Sequence, residues 1–369
     1  MRVICHNCQE EKEFDLHVFC CECEGAWEPV EKGEFNPDSI HKDISSIWRY
    51  KDILGLRTPK SPVSLGAGWT PLLSSDWEGN DAFFKLEYIS PTGSFKDRGT
   101  EVEMSYLKAV GVKQVVEDSS GNAGAAVAAY AARAGISAHI YAPDSASTAK
   151  LSQIRIYGAA LHEIPGPRIE ATKAVLKAVA DGVIYASHAY NPVYLLGQQT
   201  AAWEIWEQTG GKLPDAVVIP VGQCGLLVGA WLGFRRLLLA GIIEKMPRLY
   251  AAQPVRLSPV HHAFTNGLDD IPSAHPTQSS IAKGLAIVKP VRGKRILQAL
   301  HESGGGAVVV SEDQIRQAYR NLARKGLFVE PSSAVAAAAI GAVRQELGNR
   351  AVILVTLTGS GLKSPVMEV

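Results

Sequence analysis

The chain has 369 residues and a hydrophobic content of 46%, so it is long enough to bury a large core and to form two lobes plus an appendage. Lys plus Arg and Asp plus Glu both number 37, so overall charge attracts neither nucleic acid nor a membrane surface, and any anion site has to be local. No apolar run reaches the roughly 18 residues that span a bilayer. The segment Met1–Cys5 lacks the apolar core of a signal peptide, so we expect a cytoplasmic protein.

Cysteines are concentrated at the N-terminus, where the first 23 residues hold five of the six. They include two Cys-x-x-Cys pairs, the spacing of metal knuckles rather than of a disulfide framework. Four thiolates can surround zinc tetrahedrally, and a segment this short has too small an apolar core to fold without the metal. We therefore predict a zinc ribbon over residues 1–30 with the ligands Cys5, Cys8, Cys20 and Cys23. Cys21 is either a spare thiol or a competing ligand.

A zinc ribbon can also serve as a nucleic-acid-binding module. Between the two knuckles, however, Lys12 stands alone against the acidic residues Glu10, Glu11, Glu13 and Asp15. This charge repels phosphates. The sequence therefore favours a structural or oligomer-contact ribbon.

From about residue 81 the chain alternates short β-branched runs with longer helical ones. One series predicts strand 112–117, helix 122–134, strand 138–142, helices 149–157 and 169–180, strand 183–186 and helix 195–208. A second predicts strand 216–221, helix 226–239, strands 248–253 and 307–310, helices 313–325 and 333–347 and strand 351–357, with loops and short helices over 255–306. We expect an α/β fold of two lobes, each with a mostly parallel sheet covered by helices.

The segment Ser90–Gly99 places one lysine, Lys96, where an apolar run ends and a helix begins. A helix N-terminus and the neighbouring ring of Phe95 both disfavour an ammonium group and lower its pKa. A partly neutral amine attacks an aldehyde, which makes Lys96 a candidate Schiff-base residue. The alternative is a surface lysine in a loop.

Two further segments join a predicted strand to a helix. Asp118–Gly124 directs N–H groups and hydroxyls to one point, where small anions bind, although an ordinary capped turn has the same composition. Pro220–Leu226 has flanking glycines but lacks both the Gly-Lys-Ser/Thr of a nucleoside triphosphate loop and the dinucleotide fingerprint. It therefore suits a single phosphate group, with Cys224 alternatively only a small buried residue.

The last motif, Val355–Lys363, ends an apolar strand with a hydroxyl and glycines, and α/β proteins place ligands at such strand ends. Taken alone, Thr358 is more typical of a turn. Arg98, Lys85 and Arg155 are candidate ligands of a substrate phosphate, with Arg98 equally suited to an ion pair that fixes the helix behind Lys96.

Together these motifs resemble the tryptophan synthase β-type (fold type II) enzymes that use pyridoxal phosphate, and among them the threonine synthases. The resemblance also covers Ile47–Tyr50, Gly68–Leu72, Lys85–Glu87, Asn191-Pro192 with Gly197-Gln198, and Glu330–Ala334. It implies a tryptophan synthase β-like fold with a large cofactor-binding lobe over 45–106 and 199–369. The substrate lobe is then 107–198, and the kinship suggests a homodimer.

The resemblance also implies roles for individual residues. Lys96 carries the cofactor as a Schiff base, Asn122 bonds the ring hydroxyl, and Thr358 faces the pyridine nitrogen. The cofactor phosphate is held by Gly222, Gln223, Cys224, Gly225 and Leu226, and the substrate carboxylate by Ser119, Ser120, Gly121, Asn122 and Ala123.

The reaction so implied is the conversion of O-phosphohomoserine and water to threonine and phosphate, with the freed Lys96 amine removing the Cα proton. Two departures bear on the substrate. The phosphate loop reads Gly-Gln-Cys-Gly-Leu where threonine synthases usually have Gly-Asn-Ala-Gly-Asn, and Ser280–Ala286 is more similar to threonine/serine dehydratases.

Three alternatives remain. One is a threonine or serine ammonia-lyase, and another is a cysteate-synthase-like β-replacement enzyme. The third, from another class, is an inactive zinc-ribbon scaffold, against which the joint retention of Lys96, Asn122 and Thr358 speaks.

Overall fold

The computed structural model describes residues 1–30, 34–56, 59–146 and 148–364. Its strands are β1 Arg2–Cys5, β2 Glu11–Glu13, β3 Trp27–Pro29, β4 Leu72–Trp77, β5 Asn80–Lys85, β6 Gln114–Glu117, β7 Ser137–Pro143, β8 Ala160–Ile164, β9 Ile184–Tyr185, β10 Ala216–Pro220, β11 Arg248–Pro254, β12 Gly306–Val310 and β13 Ile353–Thr356. Its helices are α1 Lys51–Leu54, α2 Lys96–Ala109, α3 Asn122–Ala134, α4 Thr148–Ile156, α5 Arg168–Ala180, α6 Pro192–Gln208, α7 Gly225–Leu239, α8 Pro259–Thr265, α9 Gly293–Glu302, α10 Glu312–Arg324, α11 Pro331–Ala338 and α12 Ile340–Leu347.

The chain divides into two compact units. Unit 1 comprises residues 1–31, 36–68 and 90–198, and unit 2 comprises residues 32–35, 69–89 and 199–369. The sequence places residues 45–68 and 90–106 in the large lobe, whereas the structure places them in unit 1. The physical reason is burial: Val63, Ala67 and Met104 belong to the same apolar core as helix α3, so these segments fold with unit 1.

Unit 1 contains the parallel sheet β8-β7-β6-β9. Helix α3 is rich in alanine and almost wholly buried, because small side chains let it approach the sheet closely. A separate antiparallel sheet, β2-β1-β3, forms the cysteine-bearing N-terminal segment. This segment packs on the rest of unit 1 through aromatic rings, with Phe19 edge-on to both Tyr185 and Tyr190.

Unit 2 contains the sheet β12-β11-β10-β13-β5-β4, which is parallel except for the antiparallel pair β4 and β5. The central strand β10 is buried along its whole length, as its sequence Ala-Val-Val-Ile-Pro requires of a strand covered on both faces. The expected α/β class with mostly parallel sheets is thus confirmed. The pair β4–β5 and strand β8 were not predicted.

Most predicted helices begin and end within a few residues of the observed ones. The predicted helix 333–347 is instead two helices, α11 and α12, which meet at Ala339. Across the described ranges, no helix is both long and apolar enough to cross a membrane.

Candidate active site

Lys96 is the first residue of helix α2 and is half-buried. Its Nζ lies 4.7 Å from the centre of the Phe95 ring and 5.8 Å from the centre of the Tyr194 ring. Aromatic faces attract a cation at these distances while excluding water from it. The amine is therefore held between two rings.

Close backbone packing fixes the start of helix α2. A Cβ at Gly197 would fall 2.1 Å from the carbonyl oxygen of Arg98, so only glycine allows this approach. The Gln198 Nε2 donates to the carbonyl of Phe95 at 3.3 Å, and the Asp97 carboxylate accepts from both the N–H and the hydroxyl of Thr92. The Gly197-Gln198 motif therefore positions the lysine-bearing turn.

A buried acid–imidazole pair, which sequence reasoning missed, lies in the same unit. His188 Nδ1 is 2.8 Å from Glu117 Oε1, and both side chains are almost completely buried. Burial raises the pKa of Glu117 well above its usual range. Burial, together with the charge of Lys96, lowers the pKa of His188 well below its usual range. The only sequence signal was a glutamate at the end of an apolar strand.

The segment Ser119–Ala123 turns from strand β6 into helix α3. Gly121 precedes the helix and donates its N–H to Ser119 Oγ at 3.3 Å. A Cβ at Gly124 would fall 1.8 Å from the carbonyl oxygen of Ser119, so glycine is required for so tight a turn. Because Ser119, Ser120, Gly121 and Asn122 are partly exposed, the helix N-terminus presents its N–H groups to an anion.

Asp118 anchors this turn from behind. Its carboxylate accepts from the Tyr185 hydroxyl at 2.9 Å and from the Thr172 hydroxyl at 2.7 Å. The residue is 7% exposed. The carboxylate therefore acts inside the fold, and the Ser119 side of the turn remains for a ligand.

In unit 2, the segment Gly222–Leu226 joins strand β10 to helix α7. Cys224 has a φ of +62°, an uncommon left-handed conformation for a residue with a side chain. Its Sγ contacts the Gly222 carbonyl oxygen at 3.2 Å, while the Gln223 Oε1 accepts from the Val291 N–H at 3.1 Å. These contacts turn the loop so that successive N–H groups lead into a 15-residue helix, whose N-terminus carries the positive end of the helix dipole.

Thr358 follows strand β13 and is 6% exposed. Its Oγ1 lies 3.0 Å from the Ser333 Oγ, and its N–H donates to that same oxygen. Sequence reasoning included Ser333 only as part of the Glu330–Ala334 motif and gave it no role.

The predicted residues are thus distributed over both units. Lys96 and the segment Ser119–Ala123 belong to unit 1, and the segment Gly222–Leu226 and Thr358 belong to unit 2. Among the candidate phosphate ligands, Lys85 and Arg98 are both fully buried. Lys85 Nζ lies 2.9 Å from Glu204 Oε2 and donates to the Thr70 carbonyl, so it is a structural residue. Arg155 is paired with Glu163 at the surface.

The cysteine group differs from the prediction in one member. The sulfur atoms of Cys5, Cys8, Cys21 and Cys23 all lie within 4.8 Å of one another, and Cys20 is not part of the group. Neighbouring residues of an extended chain face opposite sides, so only one of the adjacent pair can face inward. Cys20 forms a β-bridge with Ala26, and the Cys21 N–H donates to the Gly25 carbonyl oxygen. These two contacts fix the backbone so that Cys21 is the one that faces inward.

The sequence profile described as "Pyridoxal-phosphate dependent enzyme" matches residues 63–359. A threonine synthase of Methanocaldococcus jannaschii is 33% identical over 98% of this chain and 92% of its own length. A threonine synthase of Synechocystis is 34% identical over 87% of this chain and 85% of its own length.

Solved structures give the same fold. The processed form of threonine deaminase isoform 2 from Solanum lycopersicum superposes with a TM-score of 0.70 at 25% identity, over 90% of this chain and 89% of its own. Maize serine racemase gives a TM-score of 0.68 at 26% identity, over 79% of this chain and 88% of its own. The profile match and the similarity to threonine synthases over nearly the whole chain show that the protein belongs to the family of pyridoxal-phosphate-dependent enzymes.

Proposed function

We propose that this protein is a lyase that converts O-phosphohomoserine and water to threonine and phosphate. The observation that carries the proposal is the similarity to threonine synthases over 98% of the chain, together with a lysine held between two aromatic rings at the start of helix α2. The residue roles given below are those that the resemblance to threonine synthases implies, and the local geometry is compatible with them.

The donor sets fit pyridoxal phosphate. A Cβ on Gly222 would lie 3.2 Å from both Leu285 Cα and Ile287 Cγ1, so the loop is closely packed against this segment and a larger residue would have to displace it. The N–H groups from Gly222 to Leu226 would hold the cofactor phosphate, and Asn122 and Thr358 would bond its ring hydroxyl and its ring nitrogen. When bound, the cofactor supplies an electron sink for the charge that develops at the substrate Cα.

The protein residues have separate tasks in this reaction. Lys96 would hold the cofactor through its aldehyde, and its Nζ would be the base that takes the proton from the substrate Cα. The Ser119–Ala123 turn orients the substrate carboxylate through the N–H groups at the start of helix α3. The Phe95 and Tyr194 rings lie beside the amine and limit its positions. In the overall reaction the phosphate leaves from Cγ of O-phosphohomoserine, and one water molecule adds at Cβ.

We also propose that the N-terminal segment is a zinc ribbon with the ligands Cys5, Cys8, Cys21 and Cys23. Zinc–sulfur bonds of about 2.3 Å in a tetrahedron place sulfur atoms about 3.8 Å apart, which the observed group accommodates. Burial raises the pKa of the Cys5 and Cys21 thiols, so a bound cation has to offset this effect for both to ionise. The proposal includes a homodimer in the cytoplasm, as expected for such a biosynthetic enzyme.

A threonine or serine ammonia-lyase is the second candidate function. It is favoured by the Ser280–Ala286 segment and by the superposition on a threonine deaminase. A β-replacement enzyme similar to cysteate synthase is the third candidate, with the same cofactor residues.

The deciding experiment supplies the purified protein with O-phosphohomoserine and measures phosphate and threonine, and in parallel supplies threonine and measures 2-oxobutanoate and ammonia. The proposed function predicts equimolar phosphate and threonine. Oxoacid formation from threonine alone supports the ammonia-lyase instead. K96A abolishes either activity, whereas K108A, which removes an exposed lysine of the same helix, is the matched control.

A further inference from the structure

The hydroxyl of Ser333, in helix α11, is fully buried and already accepts two hydrogen bonds. The Thr358 N–H donates to it at 3.0 Å and the Gly359 N–H donates to it at 2.8 Å. A serine hydroxyl has two lone pairs and one hydrogen. The two backbone donors therefore fill its acceptor capacity, and it has no lone pair left for the hydroxyl of Thr358.

The single hydrogen of Ser333 has two acceptors within reach. Thr358 Oγ1 is 3.0 Å away and the Gly359 carbonyl oxygen is 3.2 Å away. The Gly359 carbonyl already accepts the Glu330 N–H at 2.8 Å. Thr358 Oγ1 is the nearer acceptor, and because both lone pairs of Ser333 are occupied, Ser333 has to be the donor in that 3.0 Å contact. Ser333 therefore donates to Thr358.

This count fixes the direction of the Thr358 hydroxyl. Its oxygen accepts from Ser333, and its own hydrogen cannot return to a serine whose lone pairs are occupied. The hydrogen is therefore directed away from Ser333, towards whatever acceptor lies against Thr358.

We propose that Ser333 is a positioning residue that makes Thr358 a hydrogen-bond donor to the ring nitrogen of the cofactor. The inference rests on the proposed function, which assigns Thr358 to that nitrogen. A hydroxyl by itself serves a protonated nitrogen as acceptor or an unprotonated one as donor. Ser333 supplies Thr358 with a donor and cannot take its hydrogen, so the Thr358 hydrogen has a partner at the cofactor only when the ring nitrogen is unprotonated. Ser333 therefore favours that form without touching the cofactor.

The test uses the full-length protein reconstituted with pyridoxal phosphate that carries nitrogen-15 in the ring. The chemical shift of that nitrogen reports its protonation directly and requires no turnover. We compare the natural protein with S333A between pH 6 and 9, and with S332A as the matched control. Ser332 is the preceding residue of the same helix, and its hydroxyl accepts from the Gly284 N–H at 3.0 Å instead.

The natural protein and S332A are expected to show an unprotonated nitrogen at every pH. In S333A the resonance should move towards the protonated position as the pH falls, and cofactor affinity should decrease about two- to tenfold, the size of one neutral hydrogen bond. If S333A does not fold, S333C, whose thiol is a weak donor of similar size, takes its place and should show the same shift in smaller degree.

An S333A or S333C protein that binds the cofactor with the natural chemical shift across the whole pH range overturns the inference and leaves the proposed function intact. A natural protein that gives no bound-cofactor resonance and no Schiff-base absorbance overturns the proposed function itself. The two failures are therefore distinguishable.

Discussion

The ring of Tyr194 lies directly against Gly99 of helix α2. A Cβ at residue 99 would fall 2.3 Å from Cδ2 of that ring, a distance that no real contact shows. The same ring forms one wall around the Lys96 amine. The absence of a side chain at residue 99 therefore determines how closely the aromatic wall approaches the candidate catalytic lysine.

The substitution G99A should displace the Tyr194 ring, and we expect unit 1 to lose about 1–3 kcal/mol of unfolding free energy, the usual penalty of overpacking. Denaturant unfolding followed by fluorescence measures this change. G341A, in helix α12, is the control, because the nearest atom to its new Cβ is Glu78 Oε2 at 4.0 Å. Since alanine favours a helix over glycine by about 0.5–1 kcal/mol, that variant should be slightly more stable. Equal stability of G99A and the natural protein would contradict the packing argument.

The ion pair of Lys85 and Glu204 provides a second prediction. Both side chains are fully buried, and the Lys85 Nζ also donates to the Gln208 side chain. The substitution K85M leaves the Glu204 charge buried without its cation, and we expect a loss of about 3–5 kcal/mol. Thermal and denaturant unfolding of unit 2 measure the effect.

The control for this prediction is the double variant K85M/E204M, which removes both charges. It should recover part of the loss, because a buried pair replaced by apolar groups is often neutral. A double variant less stable than K85M would show that the pair itself supplies the stability.

Glu103 makes the stability of unit 1 depend on pH. Burial raises its pKa to about 8, although the Asn191 amide donates to it at 2.6 Å. The folded pKa lies above the unfolded value, so the stabilisation is complete below about pH 4.5 and is lost as the pH rises through about 8. E103Q cannot ionise and keeps an acceptor for Asn191.

Measured from pH 5 to 9, the unfolding free energy of unit 1 should therefore fall less in E103Q than in the natural protein, with a difference on the order of 3 kcal/mol across the window. Urea denaturation at fixed ionic strength tests this. E163Q serves as a control, because Glu163 is exposed and paired with Arg155 at the surface. Parallel curves for the natural protein and E103Q would show that Glu103 does not titrate in this range.

The proposed zinc site is tested by two adjacent cysteines. C21S removes a sulfur of the four-atom group, whereas C20S removes one outside it. We expect C21S to lose bound zinc and the folded N-terminal segment, and C20S to retain one zinc per chain, because structural zinc supplies the folding free energy of such ribbons. Elemental analysis of purified protein gives the stoichiometry. Zinc loss in C20S with retention in C21S would restore the ligand set that the spacing alone suggested.

Much of the fold follows from local pattern. The alternation of β-branched runs and helical runs predicted helices α3 and α7 to within one residue of their observed ends, because each begins directly after a glycine-containing turn and α3 ends at Gly135. Strand β8 escaped prediction because its sequence Ala-Leu-His-Glu-Ile is only half-buried at a sheet edge and has little apolar signal. Strands β4 and β5 form a hairpin with each other, but β5 joins the sheet by pairing with β13, which lies far along the chain.

The candidate site divides in the same way. Lys96, the Ser119 turn, the Gly222 loop and Thr358 were selected from sequence, because each lies where an apolar strand or run meets a glycine-rich or hydroxyl-rich turn. Glu117 with His188, and Ser333 with Thr358, join residues separated by 71 and 25 positions. No local pattern connects such pairs.

The sequence by itself determined the α/β class, the turns that carry the donors and the similarity to threonine synthases, because these depend on residue type and short-range spacing. Only the tertiary structure decided which cysteine faces its three partners and that Lys85 is a buried structural cation. It also decided that two backbone N–H groups occupy both lone pairs of the Ser333 hydroxyl, so that Ser333 donates to Thr358. Those outcomes depend on burial and on hydrogen-bond capacity, which are fixed when distant segments pack and each buried polar atom has to find its partner.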